Sequence, residues 1–136
     1  MTHRARAASL AVVLCVIATF AAAQQDREQP PPSQMYKQYA GGLLARTVYT
    51  SDVNGRFRME VWNLLIGPGK HTAPFRLPGG AVLDVRGGSG NVVISGKEQR
   101  FRVGTTMRAD DGSEIVLVNA SPDSPMTIRA VIVVAR

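Results

Sequence analysis

Turn residues recur along the chain at intervals too short for helices. Asn54-Gly55, Gly67-Pro68-Gly69, Pro78-Gly79-Gly80, Gly87-Gly88, Ser95-Gly96, Asp111-Gly112, Ser121-Pro122 and Ser124-Pro125 punctuate the second half. Between them the apolar residues repeat with period two. Phe57, Met59 and Val61 alternate with Arg58, Glu60 and Trp62, and Phe101 and Val103 alternate with Arg100 and Arg102. A strand places successive side chains on opposite faces, so this pattern predicts half-buried strands. Short strands separated by such turns predict an all-β antiparallel sandwich or small barrel. Asn54-Gly55 predicts a hairpin, because both residues tolerate positive φ. On alternation alone, Phe57, Met59 and Val61 face inward and Glu60 faces outward.

The first residues read differently. Arg4 and Arg6 precede an apolar run from Ala7 to Phe20, and Ala21-Ala22-Ala23 follows with small residues. That is the three-part layout of a secretory signal peptide, expected to span residues 1–23. Gln24 to about Gly42 is rich in Gln and Pro and is expected to be a flexible segment, with a short helical turn over Gln34–Ala40 closed by Gly41-Gly42. The folded domain is then expected over residues 43–136. An exported protein, periplasmic or secreted and free of the membrane after cleavage, is the localisation this implies.

Cysteine and charge narrow the chemistry. Cys15 is the single cysteine and lies in the apolar run, so a cleaved chain has no disulfide, no thiolate metal site and no cysteine nucleophile. The formal net charge is +6, from 16 basic and 10 acidic residues. Loss of Arg4 and Arg6 leaves 16 − 2 = 14 basic residues and a charge of +4. The cations alternate with apolar residues along strands, which describes a solvated sheet face and not a nucleic-acid stripe.

The glycine spacing carries a resemblance. Gly67, Ala73, Phe75, Gly80 and Gly87 fall at the separations of the first cupin motif, and Gly104, Asp110, Gly112, Ile115 and Asn119 at those of the second. The region from about Leu65 to Val134 resembles a cupin, an RmlC-like jelly-roll barrel. The resemblance implies His, His, Glu and His as metal ligands, and at those positions the chain carries Ala73, Phe75, Gly80 and Ile115. Their side chains offer no lone pair to a metal. No metal and no cofactor are therefore expected, and the four positions become candidates for lining a small-molecule site in the barrel.

Catalysis has few carriers. His71 is the one histidine after cleavage, and with Asp84 or Glu60 it could form a general acid/base couple for a metal-independent isomerase or lyase. The register of the strand bearing Asp84 is read two ways. The resemblance places even positions inside, whereas hydrophobicity places Ala81, Leu83 and Val85 inside and Asp84 with Arg86 outside. Trp62 and Tyr49 are read either as cavity-lining or as packing residues. Asp110-Asp111-Gly112-Ser113-Glu114 lacks the longer alternating loop of a calcium site and reads as a polar turn. The apolar runs Ile115–Val118 and Met126–Val134 look buried on both faces, which suggests a homodimeric interaction module as a further alternative. The leading expectation is an exported, non-metal, non-catalytic protein that takes a small molecule in the barrel.

Overall fold

The computed structural model describes residues 35–136, so the expected signal peptide at 1–23 lies outside the described residues. Nine strands make two antiparallel sheets. They are β1 (Lys37–Ala40), β2 (Leu43–Val53), β3 (Phe57–Ile66), β4 (Gly80–Gly87), β5 (Ser89–Ile94), β6 (Lys97–Arg102), β7 (Thr106–Ala109), β8 (Ile115–Asn119) and β9 (Met126–Ala135). Six form one sheet in the order β1-β2-β3-β9-β4-β7, and three form the other in the order β6-β5-β8. The fold is all-β and antiparallel, as the period-two pattern predicts. It is a jelly-roll sandwich of two sheets whose strand pairing does not close into a continuous barrel.

The turns follow the sequence closely. Asn54 and Gly55 both have positive φ, 54° and 65°, and join β2 to β3. Such a pair matches the twist of the flanking strands, which is why Asn-Gly is favoured there. Upstream, Lys37–Ala40 is a strand and not a helical turn. It pairs antiparallel with β2, Lys37 opposite Ala45, so the sheet starts before the expected boundary at residue 43.

The core lies between the sheets. Leu83, Leu64, Ile66, Ile115, Leu117, Met126 and Ile132 are completely buried there. In β4, Ala81, Leu83 and Val85 point inward and Asp84 outward, as hydrophobicity requires. In β3 the alternation is inverted relative to expectation. Glu60 is buried with Leu64 and Ile66, while Phe57 is exposed and Met59 and Val61 are half-buried on the outer face. Leu64 and Ile66 fix the inward parity of the whole strand, and a slip of one residue would expel them. β9 is buried on one face only, since Val131 and Val133 are 37% and 48% exposed.

Backbone pairing stitches the segment before β4 onto the smaller sheet. Phe75 and Ile115 exchange hydrogen bonds, N to O at 3.0 and 2.8 Å. Thr72 N donates to Leu117 O at 2.9 Å, and Leu117 N donates to Thr72 Oγ1 at 3.0 Å. Asn119 locks the end of this arrangement. Its buried Nδ2 donates to the carbonyls of Ile66, Gly67 and Ser124 at 3.3, 3.0 and 2.8 Å, and its Oδ1 accepts from Ser121 N at 3.0 Å. The amide supplies both the donor and the acceptor that this corner needs.

Asn119→Ala is expected to lower unfolding stability by roughly 2–3 kcal/mol, because buried carbonyls lose their donor. Asn119→Asp is expected to cost more, since it sets a carboxylate against three carbonyl oxygens. Urea denaturation of both variants checks the order.

Candidate functional site

One charged side chain is buried among the described residues, and it is Glu60. Strand β3 places Arg58, Glu60 and Trp62 on one face at successive inward positions. Arg58 Nε donates to Glu60 Oε1 at 2.6 Å, and Trp62 Nε1 donates to Glu60 Oε2 at 2.8 Å. Both carboxylate oxygens are thus engaged, which offsets the cost of burying the charge. The same contacts hold the indole in a fixed orientation.

Strand β1 brings Tyr39 over this group. Its ring meets Trp62 edge-on, with centroids 5.1 Å apart and planes at 77°, and lies 6.2 Å from Phe75 at 88°. Edge-to-face contacts of this kind are favoured by the ring quadrupoles. Tyr39 Oη donates to the carbonyl of Arg76 at 2.6 Å. Burial raises the Tyr39 pKa above its ordinary value of 10.0, and the Glu60 carboxylate raises it further. Both act by disfavouring the phenolate. Beside this cluster lies a pocket of about 160 Å³, lined by Met35, Lys37, Tyr39, Ala45, Thr47 and Trp62, with Arg46 at its margin. Arg46 stacks over Tyr36, its guanidinium 5.0 Å from the ring centroid.

The residues singled out in the sequence are scattered. His71 is exposed and bridges by its backbone to Val118 beside the smaller sheet. Asp84 sits on the outer face of β4 and pairs with Arg86 at 2.8 Å. Glu60 lies on the inner face of β3. No hydrogen bond or ion pair joins His71 to either carboxylate among the described residues, and the acid/base couple lacks the contact it needs. Of the four positions that the resemblance gives to metal ligands, Phe75 and Ile115 enter the core, Ala73 is exposed, and Gly80 is half-buried at the start of β4. This donor set does not fit a metal, because none of the four has a side-chain lone pair. Among the described residues no three His, Cys, Asp or Glu side chains gather elsewhere. The acidic stretch at 110–114 is a polar turn, with Ser113 N donating to Asp110 O at 3.0 Å and Asp110 paired to Arg108. Tyr49 is outward and 52% exposed, whereas Trp62 reaches the pocket. Tyr39 had no signal in the sequence, since its partners Trp62 and Arg76 lie far along the chain.

No family model matches the chain, and no curated protein does. Solved structures do match. A cupin-2 domain protein of Rhodospirillum rubrum superposes with a TM-score of 0.61 at 13% identity, covering 80% of this chain and 74% of that one. KdgF from a Halomonas species gives 0.58 at 14% identity, covering 75% and 86%. An RmlC-like cupin from Shewanella frigidimarina gives 0.56 at 14% identity, covering 79% and 90%. At these identities the likeness concerns the fold, and the fold is the cupin jelly roll.

The raised Tyr39 pKa has a consequence for stability. The folded state holds this proton more tightly than the unfolded chain, so its contribution is complete below pH 10.0 and is lost as pH rises through the folded value. Thermal melts between pH 9 and 11 are expected to show a steeper alkaline decline in the native chain than in Tyr39→Phe. Absorbance titration of the phenols is expected to lose its latest component in that variant.

Proposed function

We propose that the chain is an exported, non-catalytic cupin-fold binding protein whose ligand is a small one-ring organic molecule seated against Trp62 and Tyr39. The observation that carries this reading is the filled centre. Phe75 and Ile115 are 6% and 0% exposed and are paired across the core, where the resemblance would place a metal and its substrate. A ligand between the sheets would have to displace them. The pocket at β1, β2 and β3 is open by contrast. Its volume of about 160 Å³ is close to the roughly 150 Å³ of an engineered cavity that admits benzene.

The lining suits such a ligand. Trp62 and Tyr39 offer aromatic surface, and Lys37 and Thr47 supply polar contacts at the wall. The Glu60 charge behind Trp62 is engaged by Arg58 and the indole, so Glu60 serves as a positioning residue for the ring. Export is supported by the three-part layout of residues 1–23.

Trp62 is the single tryptophan of the chain, so its fluorescence reports this pocket alone. Titration with a panel of one-ring sugars, phenols and ring carboxylates is expected to find a ligand that shifts the Trp62 emission and raises the melting temperature together, by mass action on the native state. A ligand that stabilises the protein with no change at Trp62 would contradict the assignment. Metal analysis of the purified protein is expected to find no stoichiometric transition metal, and one tightly held equivalent would overturn the non-metal reading. N-terminal sequencing of material from an exporting host is expected to begin at Gln24.

A further inference from the structure

The outer face of the six-stranded sheet is apolar where a solvated face should be polar. Strand register fixes which residues stand side by side on it. One row runs Tyr49, Val61, Val131 and Val82 across β2, β3, β9 and β4. The next runs Ser51, Met59, Val133 and Gly80. Tyr49, Val82 and Val133 are 52%, 45% and 48% exposed. An antiparallel sheet with one face on the core ordinarily alternates to polar residues on the other. A contiguous apolar patch of this kind marks an interaction surface.

A third row borders the patch and carries the charge. It runs Arg46, Asn63, Arg129 and Asp84 across the same four strands. The row is cationic at the β2 end and anionic at the β4 end. Arg129 Nε donates to Asn63 Oδ1 at 3.2 Å within the chain, and the ion pair of Asp84 with Arg86 uses only Oδ2.

We propose that this face binds a second copy of the chain about a two-fold axis parallel to the strands and passing between β3 and β9. That rotation exchanges β2 with β4 and β3 with β9 while keeping each row in place. Val61 of one copy then meets Val131 of the other, Tyr49 meets Val82, and Met59 meets Val133. In the bordering row Arg46 meets Asp84 twice, so the charges complement each other across the axis. The same rotation maps a twisted sheet surface onto itself, so the two faces nest. Six strands about 4.8 Å apart and about 33 Å long present roughly 800 Å², the contribution of one partner to a standard interface. An apolar centre with a polar border matches the anatomy of such interfaces. The arrangement is isologous, as a closed dimer requires.

Sedimentation equilibrium of the purified chain is expected to give twice the chain mass at micromolar concentration. Val131→Arg, which sets two cations beside the axis, is expected to weaken the dimer at least about 100-fold while leaving the circular dichroism of the fold unchanged. Arg46→Asp and Asp84→Arg are each expected to weaken it about tenfold, and the double exchange is expected to restore it to within about threefold. A monomer at about 100 µM would overturn the proposal, as would a dimer indifferent to Val131→Arg or a double exchange that fails to restore association. A monomer that instead co-floats with neutral lipid vesicles would assign the face to a membrane and overturn it as well.

Discussion

The pairing of the Lys70–Phe75 segment with β8 is the constraint from which the rest of the interior follows. Asn119 N donates to Lys70 O, Thr72 N to Leu117 O, and Phe75 and Ile115 exchange bonds. These backbone contacts are obligatory in a buried setting, because each unpaired group would cost free energy comparable to a lost hydrogen bond. They fix the parity of the segment, and parity decides that Phe75 and Thr72 turn inward while His71 and Ala73 turn to solvent. In a metal-binding jelly roll the same stretch would present imidazoles to the centre. Here it presents an aromatic ring to Ile115 and closes the space.

The polar chemistry is displaced to the mouth of the sandwich. Glu60 cannot remain charged at an inward position without partners, and Arg58 and Trp62 provide them from the same strand. Tyr39 then packs on Trp62 from β1 and anchors on the backbone of Arg76. Three elements separated in sequence thus shape one small pocket, and the buried carboxylate stiffens its aromatic wall without facing a ligand itself. On the far side of the same sheet, the residues that β3, β9 and β4 do not turn inward are again apolar. The sheet therefore has two uses, a core on one face and a surface for association on the other.

That double use also explains what the sequence could reveal. Asn54-Gly55 and Ser95-Gly96 were legible as hairpin turns because positive φ is a local requirement, and both pairs adopt it. The register of β4 was legible because Ala81, Leu83 and Val85 alternate with a charged pair. In β3 the same rule misled, since Phe57, Met59 and Val61 are as apolar as Leu64 and Ile66. Alternation loses its sign when both faces carry apolar residues. Strand β1 was illegible for a different reason. Its four residues have no period of their own, and Tyr39 is held by contacts with Trp62 and Arg76 that no local pattern encodes.

The central claim is that the interior is packed and holds no ligand. Unfolding free energy of Phe75→Ala tests it most directly. A ring 6% exposed against Ile115 and Tyr39 contributes both transfer and packing energy, so the account predicts a loss of about 3–5 kcal/mol. A change near zero would mean that Phe75 lines an open, ligand-sized space, and would contradict the account.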